Sequence, residues 1–148
     1  MKQKASAVWT GGIKDGAGKI STASGALDQV NYGFKSRFEN GPGTNPEELI
    51  GAAHAGCFSM ALSAALTKAG FRPDSIRTHA SVHLDKQGEG FAITQIKLET
   101  LANIPGIDEA SFQRHAEDAK ANCPVSKALA GVKIELSARL ETATSLNA

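Results

Sequence analysis

Between Leu49 and Thr67 the chain carries no Lys, Arg, Asp or Glu. A run of that length is either covered by protein on most sides or placed in a membrane. Its start is well marked. Asn45 suits an N-cap, Pro46 the first helical position, and Glu47 and Glu48 the positive end of a helix dipole. Asn45 followed three residues later by Glu48 has the form of a capping box. The pattern predicts a helix from Pro46 to about Lys68, with Gly70 just past its end as a C-cap. The run holds His54 and many Ala, Gly and Ser, so its few large side chains supply little membrane-transfer energy. It reads as a central helix buried on nearly all sides.

Short strands surround this helix in sequence. Ala5, Ala7 and Trp9 alternate with polar residues over Ala5–Thr10, and Gly18–Leu27 and Val30–Phe38 read as two more strands of an antiparallel meander. The glycine pieces Gly11-Gly12 and Gly16-Ala17-Gly18 match no phosphate-loop spacing and read as turns. Ser75–Asp85 and Phe91–Ala102 are longer strands joined by a hairpin at Gln87–Gly90. Asp108 suits the cap of a second helix ending near Asn122, with Phe112, Ala116 and Ala119 at helical spacing. Val125–Leu129 allows one further turn, and Val132–Leu140 alternates as a last strand. These elements predict an α+β fold, antiparallel sheets around a central helix, as a single domain over residues 1–148. The core spans about 9–140, and the polar tail 141–148 is expected to fray.

Sixteen basic and 15 acidic residues give a net charge of +1. That balance argues against a nucleic-acid partner, which would need phosphate neutralisation, and against a polybasic membrane binder. No apolar targeting stretch follows Met1, so a cytoplasmic location is expected. The chain has 24 Ala and 15 Gly but only six Phe, one Trp and one Tyr. So many small side chains hint at close backbone approach or a second chain.

Two cysteines, Cys57 and Cys123, are too few for a disulfide scaffold or, alone, for a four-ligand zinc site. Cys57 lies about three turns inside the long helix, too deep for much help from its dipole. Cys123 precedes Pro124 at a helix junction, where the dipole favours a thiolate. Local sequence therefore nominates Cys123 as the more acidic thiol. Both cysteines equally suit the role of small buried hydrophobes. His54 sits one turn before Cys57, which allows a Cys–His pair or a packed core histidine. His79 and His83 share one face of a strand, with no carboxylate or cysteine obviously joining them as a metal site. Arg37 reads by default as a solvent-facing charge.

The segment Gly43–Leu62, read GTNPEELIGAAHAGCFSMAL, resembles the signature helix of the OsmC (osmotically inducible protein C) family. Asn122-Cys123-Pro124-Val125-Ser126 resembles its second-cysteine motif, and Trp9-Thr10-Gly11, Tyr32–Phe38, Leu84-Asp85 and Gly90–Thr94 are similar to this family as well. The likeness extends from about Trp9 to Leu140, and Tyr32–Phe38 with His54 looks more like the OsmC branch than the organic hydroperoxide resistance branch. The resemblance implies a thiol-dependent peroxidase acting on organic hydroperoxides and less well on hydrogen peroxide. It implies an intertwined homodimer with active sites at the subunit interface. Cys57 is then the peroxidatic cysteine, Cys123 the resolving one, Arg37 the thiolate-stabilising cation, and Glu47 the carboxylate that orients Arg37. No bound cofactor or metal is implied, and the reductant is an external dithiol such as a lipoyl group.

These implied roles reverse the local ranking of the thiols. Glu47 precedes Cys57 by ten residues, about 15 Å of rise in a straight helix. A bent helix or a site shared by two chains resolves the gap. Two other readings stay open at this point. One is a non-enzymatic small-molecule-binding or stress-associated dimer with structural cysteines. The other is a metal-binding protein using a cysteine and nearby histidines.

Overall fold

The structure is a computed structural model that describes residues 1–141. The chain forms two compact units, one spanning Met1–Leu49 and one beginning at Ile50.

In the first unit, β1 (Ala5–Thr10), β2 (Ala17–Thr22) and β3 (Val30–Tyr32) make the expected antiparallel meander. Gly18 is a strand residue, not part of a turn. A side chain there would strike the Tyr32 ring, which packs 5.6 Å from the Trp9 ring between centroids. β2 ends sooner than its pattern predicts. Thr22 N–H donates to Leu27 O at 2.9 Å and Leu27 N–H donates to Thr22 Oγ1 at 3.1 Å, so the intervening residues turn. The predicted strand Val30–Phe38 is also corrected. Extended backbone stops at Tyr32, and Phe34–Phe38 forms a short helix, α1. Ser36 Oγ donates to Gly33 O at 3.1 Å and accepts from Gly33 N–H at 2.9 Å. That local closure outweighs the strand preference of the aromatic residues.

The long helix α2 runs Pro46–Lys68, as its signals predict. Glu48 N–H donates to Asn45 Oδ1 at 2.7 Å, but the Glu48 carboxylate accepts from Thr44 Oγ1 at 2.8 Å. Only half of the capping box forms. At the other end Gly70 has φ +92°, and Phe71 N–H donates to Leu66 O at 2.9 Å while Gly70 N–H donates to Thr67 O at 3.0 Å. This is the paired ending that a left-handed glycine permits.

His54, Phe58, Leu62 and Leu66, spaced one turn apart, form the buried stripe of α2. Burying each of the three apolar members stabilises the fold by roughly 1.5–3 kcal/mol. The opposite stripe, Ala53, Gly56, Met60 and Ala64, is exposed, with Met60 at 78%. Within one chain, then, α2 is covered on one side only. By length and composition it is apolar enough to cross a membrane, and its buried stripe packs in the core of the second unit.

The second unit holds β4 (Ser75–Gln87) and β5 (Gly90–Asn103), an antiparallel hairpin turned at Gly88-Glu89, with Gly88 at φ +60°. The chain then forms α3 (Glu109–Asn122) and α4 (Pro124–Ala128) before β6 (Lys133–Leu140). β6 pairs with β5 in parallel, which corrects the expectation of wholly antiparallel sheets. The helical crossover between β5 and β6 is what permits a parallel return. Ile96, Leu98 and Ala102 of β5 meet the α2 stripe and Phe112 of α3 in one core. Beside it Ser59, Thr78 and Thr100 satisfy one another, with Ser59 Oγ 2.8 Å from Thr78 Oγ1 and Thr78 Oγ1 3.1 Å from Thr100 Oγ1. Glu141 N–H donates to Ala102 O at 2.7 Å. The rest of the tail expected to fray lies outside the described residues.

Candidate active site

The junction of α3 and α4 is built around one residue. Cys123 closes α3 and caps α4, so its sulfur sits where the chain changes direction at Pro124. Ser126 N–H donates to Cys123 Sγ at 3.3 Å, a thiol in the place usually held by a Ser or Asp oxygen. Ser126 Oγ also lies 3.3 Å from that sulfur. Cys123 and Ser126 are both buried.

α2 supplies the facing side. Cys57 is half-buried, and its thiol hydrogen-bonds to Cys123 and to the Val125 backbone amide. The structure therefore brings the two cysteines together from α2 and the α3–α4 junction. Burial pushes Cys57 up; the Val125 amide opposes this, and the neighbouring Cys123 adds to it. Burial also pushes Cys123 up, yet the Ser126 hydroxyl, the Ser126 amide, the Cys57 thiol and the Val125 amide together hold it below its ordinary value. In the single chain Cys123 is therefore the more acidic thiol of the pair and Cys57 the less acidic one. This is the ranking that local sequence suggests.

His54 does not act as the partner of Cys57 that its spacing allowed. Its Nε2 lies 2.7 Å from Ser126 Oγ, and its Nδ1 is buried with no hydrogen-bond partner among the described residues. Burial lowers its pKa, so the ring is neutral at pH 7. Ser126 is the functional candidate that sequence reasoning passed over. The available signal was a hydroxyl three residues after a cysteine cap, at the position that reaches back to a helix start.

Arg37 and Glu47 lie together in the first unit. Arg37 Nε donates to Glu47 Oε1 at 2.9 Å and Nη2 donates to Oε2 at 3.2 Å, a two-pronged pair. The Glu47 side chain is 9% exposed and that of Arg37 38%. The guanidinium also stacks over the Phe38 ring at 5.3 Å. Arg37 is thus a held cation and not a free surface charge. His79 and His83 stand exposed on β4. Among the described residues, no three His, Cys, Asp or Glu side chains gather as a metal site.

Residues 39–137 match the family described as OsmC-like protein. The chain belongs to this family. It is 58% identical over 129 residues to peroxiredoxin OsmC of Escherichia coli K12, covering 87% of this chain and 90% of that protein. It is 33% identical over 124 residues to the organic hydroperoxide resistance protein OhrB of Bacillus subtilis, covering 81% and 89%. The crystal structure of that OhrB superposes with a TM-score of 0.64 at 28% identity, covering 93% of this chain and 98% of the other. An OsmC-like protein of Mycoplasma pneumoniae reaches a TM-score of 0.76 at 14% identity, covering 96% and 99%, a likeness of fold. The OsmC family fold thus places Cys57 on the central helix and Cys123 at the later helix junction of this chain.

Proposed function

We propose that this OsmC-family chain is a thiol-dependent peroxidase that reduces organic hydroperoxides, and hydrogen peroxide less well, in oxidative and osmotic stress. The observation that carries the reading is the contact of the Cys57 and Cys123 thiols at a helix junction. The similarity to proteins named peroxiredoxin and organic hydroperoxide resistance protein supports it.

In the proposed reaction the Cys57 thiolate attacks the distal oxygen of ROOH. An S–O bond forms, the O–O bond breaks, and the alkoxide takes a proton to leave as ROH. Cys57 becomes a sulfenic acid. The Cys123 thiolate then attacks the Cys57 sulfur, an S–S bond forms, and hydroxide leaves with a proton as water. The peroxide gains two electrons and the two thiols lose them. An external dithiol, such as a lipoyl group, restores the pair by exchange and is itself oxidised to a disulfide. No resident cofactor takes part.

Among the described residues, the groups acting on the Cys57 thiol, which is pushed up, include no cation. We assign that cation to Arg37, oriented by Glu47. Along the continuous helix α2, Glu47 and Cys57 are separated by about 15 Å of rise. A homodimer resolves this, with Arg37 and Glu47 of one protomer serving Cys57 of the other. The exposed small-residue stripe of α2 around Met60 gives a second copy a close-packing surface. A small cavity of about 110 Å³ beside Arg37, lined by Trp9, Ile13, Phe34 and Phe38, offers apolar contact to part of an organic group. The chain then works as a single domain, in the cytoplasm, without a nucleic-acid or membrane partner. The test is turnover of cumene hydroperoxide with a dithiol. Cys57→Ser is expected to abolish it. Full turnover in that variant contradicts the reading, and wild-type thiols that resist stoichiometric peroxide would mark a non-enzymatic dimer with structural cysteines.

A further inference from the structure

His54 is fully buried, titratable, and unused by the reaction above. One of its nitrogens has a partner and the other has none. A neutral imidazole carries one N–H, and leaving a buried N–H without an acceptor costs more than leaving the proton on the bonded nitrogen. The network therefore assigns the proton to Nε2, which donates to Ser126 Oγ at 2.7 Å. The Ser126 hydroxyl, having accepted, has its own hydrogen free for Cys123 Sγ at 3.3 Å. The result is a one-way chain of donors from α2 through α4 to the sulfur.

We propose that His54 and Ser126 form a relay that holds Cys123 as a thiolate for the resolving step, with Ser126 acting on the sulfur and His54 positioning Ser126. This rests on the peroxidase reading above and assigns roles within it. The reason a relay is needed lies in the order of events. In the reduced pair the Cys57 thiol donates to Cys123. Oxidation of Cys57 to the sulfenic acid removes that S–H. The Ser126 hydroxyl and the backbone amides of Val125 and Ser126 are then what remains to hold the anion. The amides come with the backbone, whereas the hydroxyl depends on its orientation. His54 fixes that orientation by occupying the oxygen's acceptor side. Among the described residues, the titratable groups set against the Cys123 sulfur are Cys57 and, through Ser126, His54, both from α2. The proton balance is simple: Cys123–S⁻ displaces hydroxide from Cys57–SOH, and the hydroxide takes a solvent proton. The neutral His54 neither gains nor loses one overall.

The experiment is single-turnover oxidation with cumene hydroperoxide, acid-quenched and followed by mass spectrometry. It resolves the Cys57 sulfenic acid, trapped with dimedone, from the disulfide. Ser126→Ala and His54→Leu are expected to form the sulfenic acid at the wild-type rate. Both should form the disulfide roughly tenfold to a hundredfold more slowly at pH 7, the loss expected when a hydrogen bond to a charged group is removed. In both, the pH midpoint of disulfide formation moves upward. His54→Gln, which keeps an N–H near the Nε2 position, restores rate and midpoint. A merely structural role for His54 would move neither the midpoint nor its rescue. Wild-type disulfide rates and midpoints in Ser126→Ala overturn the relay. If the peroxidase reading itself is wrong, wild-type protein forms neither product, an outcome distinct from failure of the relay.

Discussion

Glu47→Ala separates two roles that this carboxylate can play toward Arg37. As a counter-charge it weakens the guanidinium, and as a two-pronged acceptor it fixes where the guanidinium points. The two roles predict opposite signs. Removing a counter-charge alone leaves Arg37 a stronger cation, which lowers the pKa of a nearby thiol and speeds peroxide reduction. Removing the fork leaves the guanidinium stacked on Phe38 without its two-pronged anchor. A displacement of about 1 Å at a catalytic group costs on the order of a hundredfold in rate. Orientation should win, and the second-order rate constant for cumene hydroperoxide is expected to fall about tenfold to a hundredfold. The stability cost is smaller. Losing one partner of a fully buried ion pair costs about 3–5 kcal/mol. Here the Arg37 side chain is 38% exposed and regains water, so about 1–2 kcal/mol is expected in urea unfolding. Glu47→Gln, which keeps one acceptor oxygen, should fall between. The assay is stopped-flow consumption of the peroxide under pseudo-first-order conditions. An unchanged or faster rate in Glu47→Ala refutes the orienting role.

Leu62→Ala, at a fully buried position of the α2 stripe, should destabilise by about 2–5 kcal/mol in denaturant titration without altering the thiols. Met60→Asp puts a charge on the exposed stripe and should shift a dimer to monomer in sedimentation velocity, with loss of peroxidase turnover. Burial depresses the His54 pKa in the folded state, so the unfolded chain takes up that proton first as pH falls. This group leaves stability level above about pH 6.5 and lowers it as pH drops from there toward the depressed folded value. His54→Gln should flatten that part of a stability-versus-pH curve.

Much of this architecture is legible from local chemistry. Asn45, Pro46, Gly70 and Asp108 mark helix ends through hydrogen bonds that lie within a few residues, and the structure has those ends. The misreadings have non-local or competing causes. Val30–Phe38 is interrupted because Ser36 folds back onto Gly33, a local bond that overrides aromatic strand preference. β6 runs parallel because of a crossover whose direction no strand pattern encodes. The thiol ranking followed from the dipole and the cap and appears in the single chain. The His54–Ser126 bond spans 72 positions and has no periodic signature, so only the fold reveals it. One chain covers a single side of α2, because an uncharged run does not distinguish burial in one chain from burial against a second.

The central claim is that Cys57 and Cys123 are one redox couple. Its most direct test is peptide mapping of the wild-type protein after one equivalent of cumene hydroperoxide, without reductant. The account predicts an intramolecular or dimer-internal disulfide joining the Cys57 and Cys123 peptides, reversed by a dithiol. Both cysteines recovered as alkylatable thiols, with the peroxide unconsumed, would contradict it.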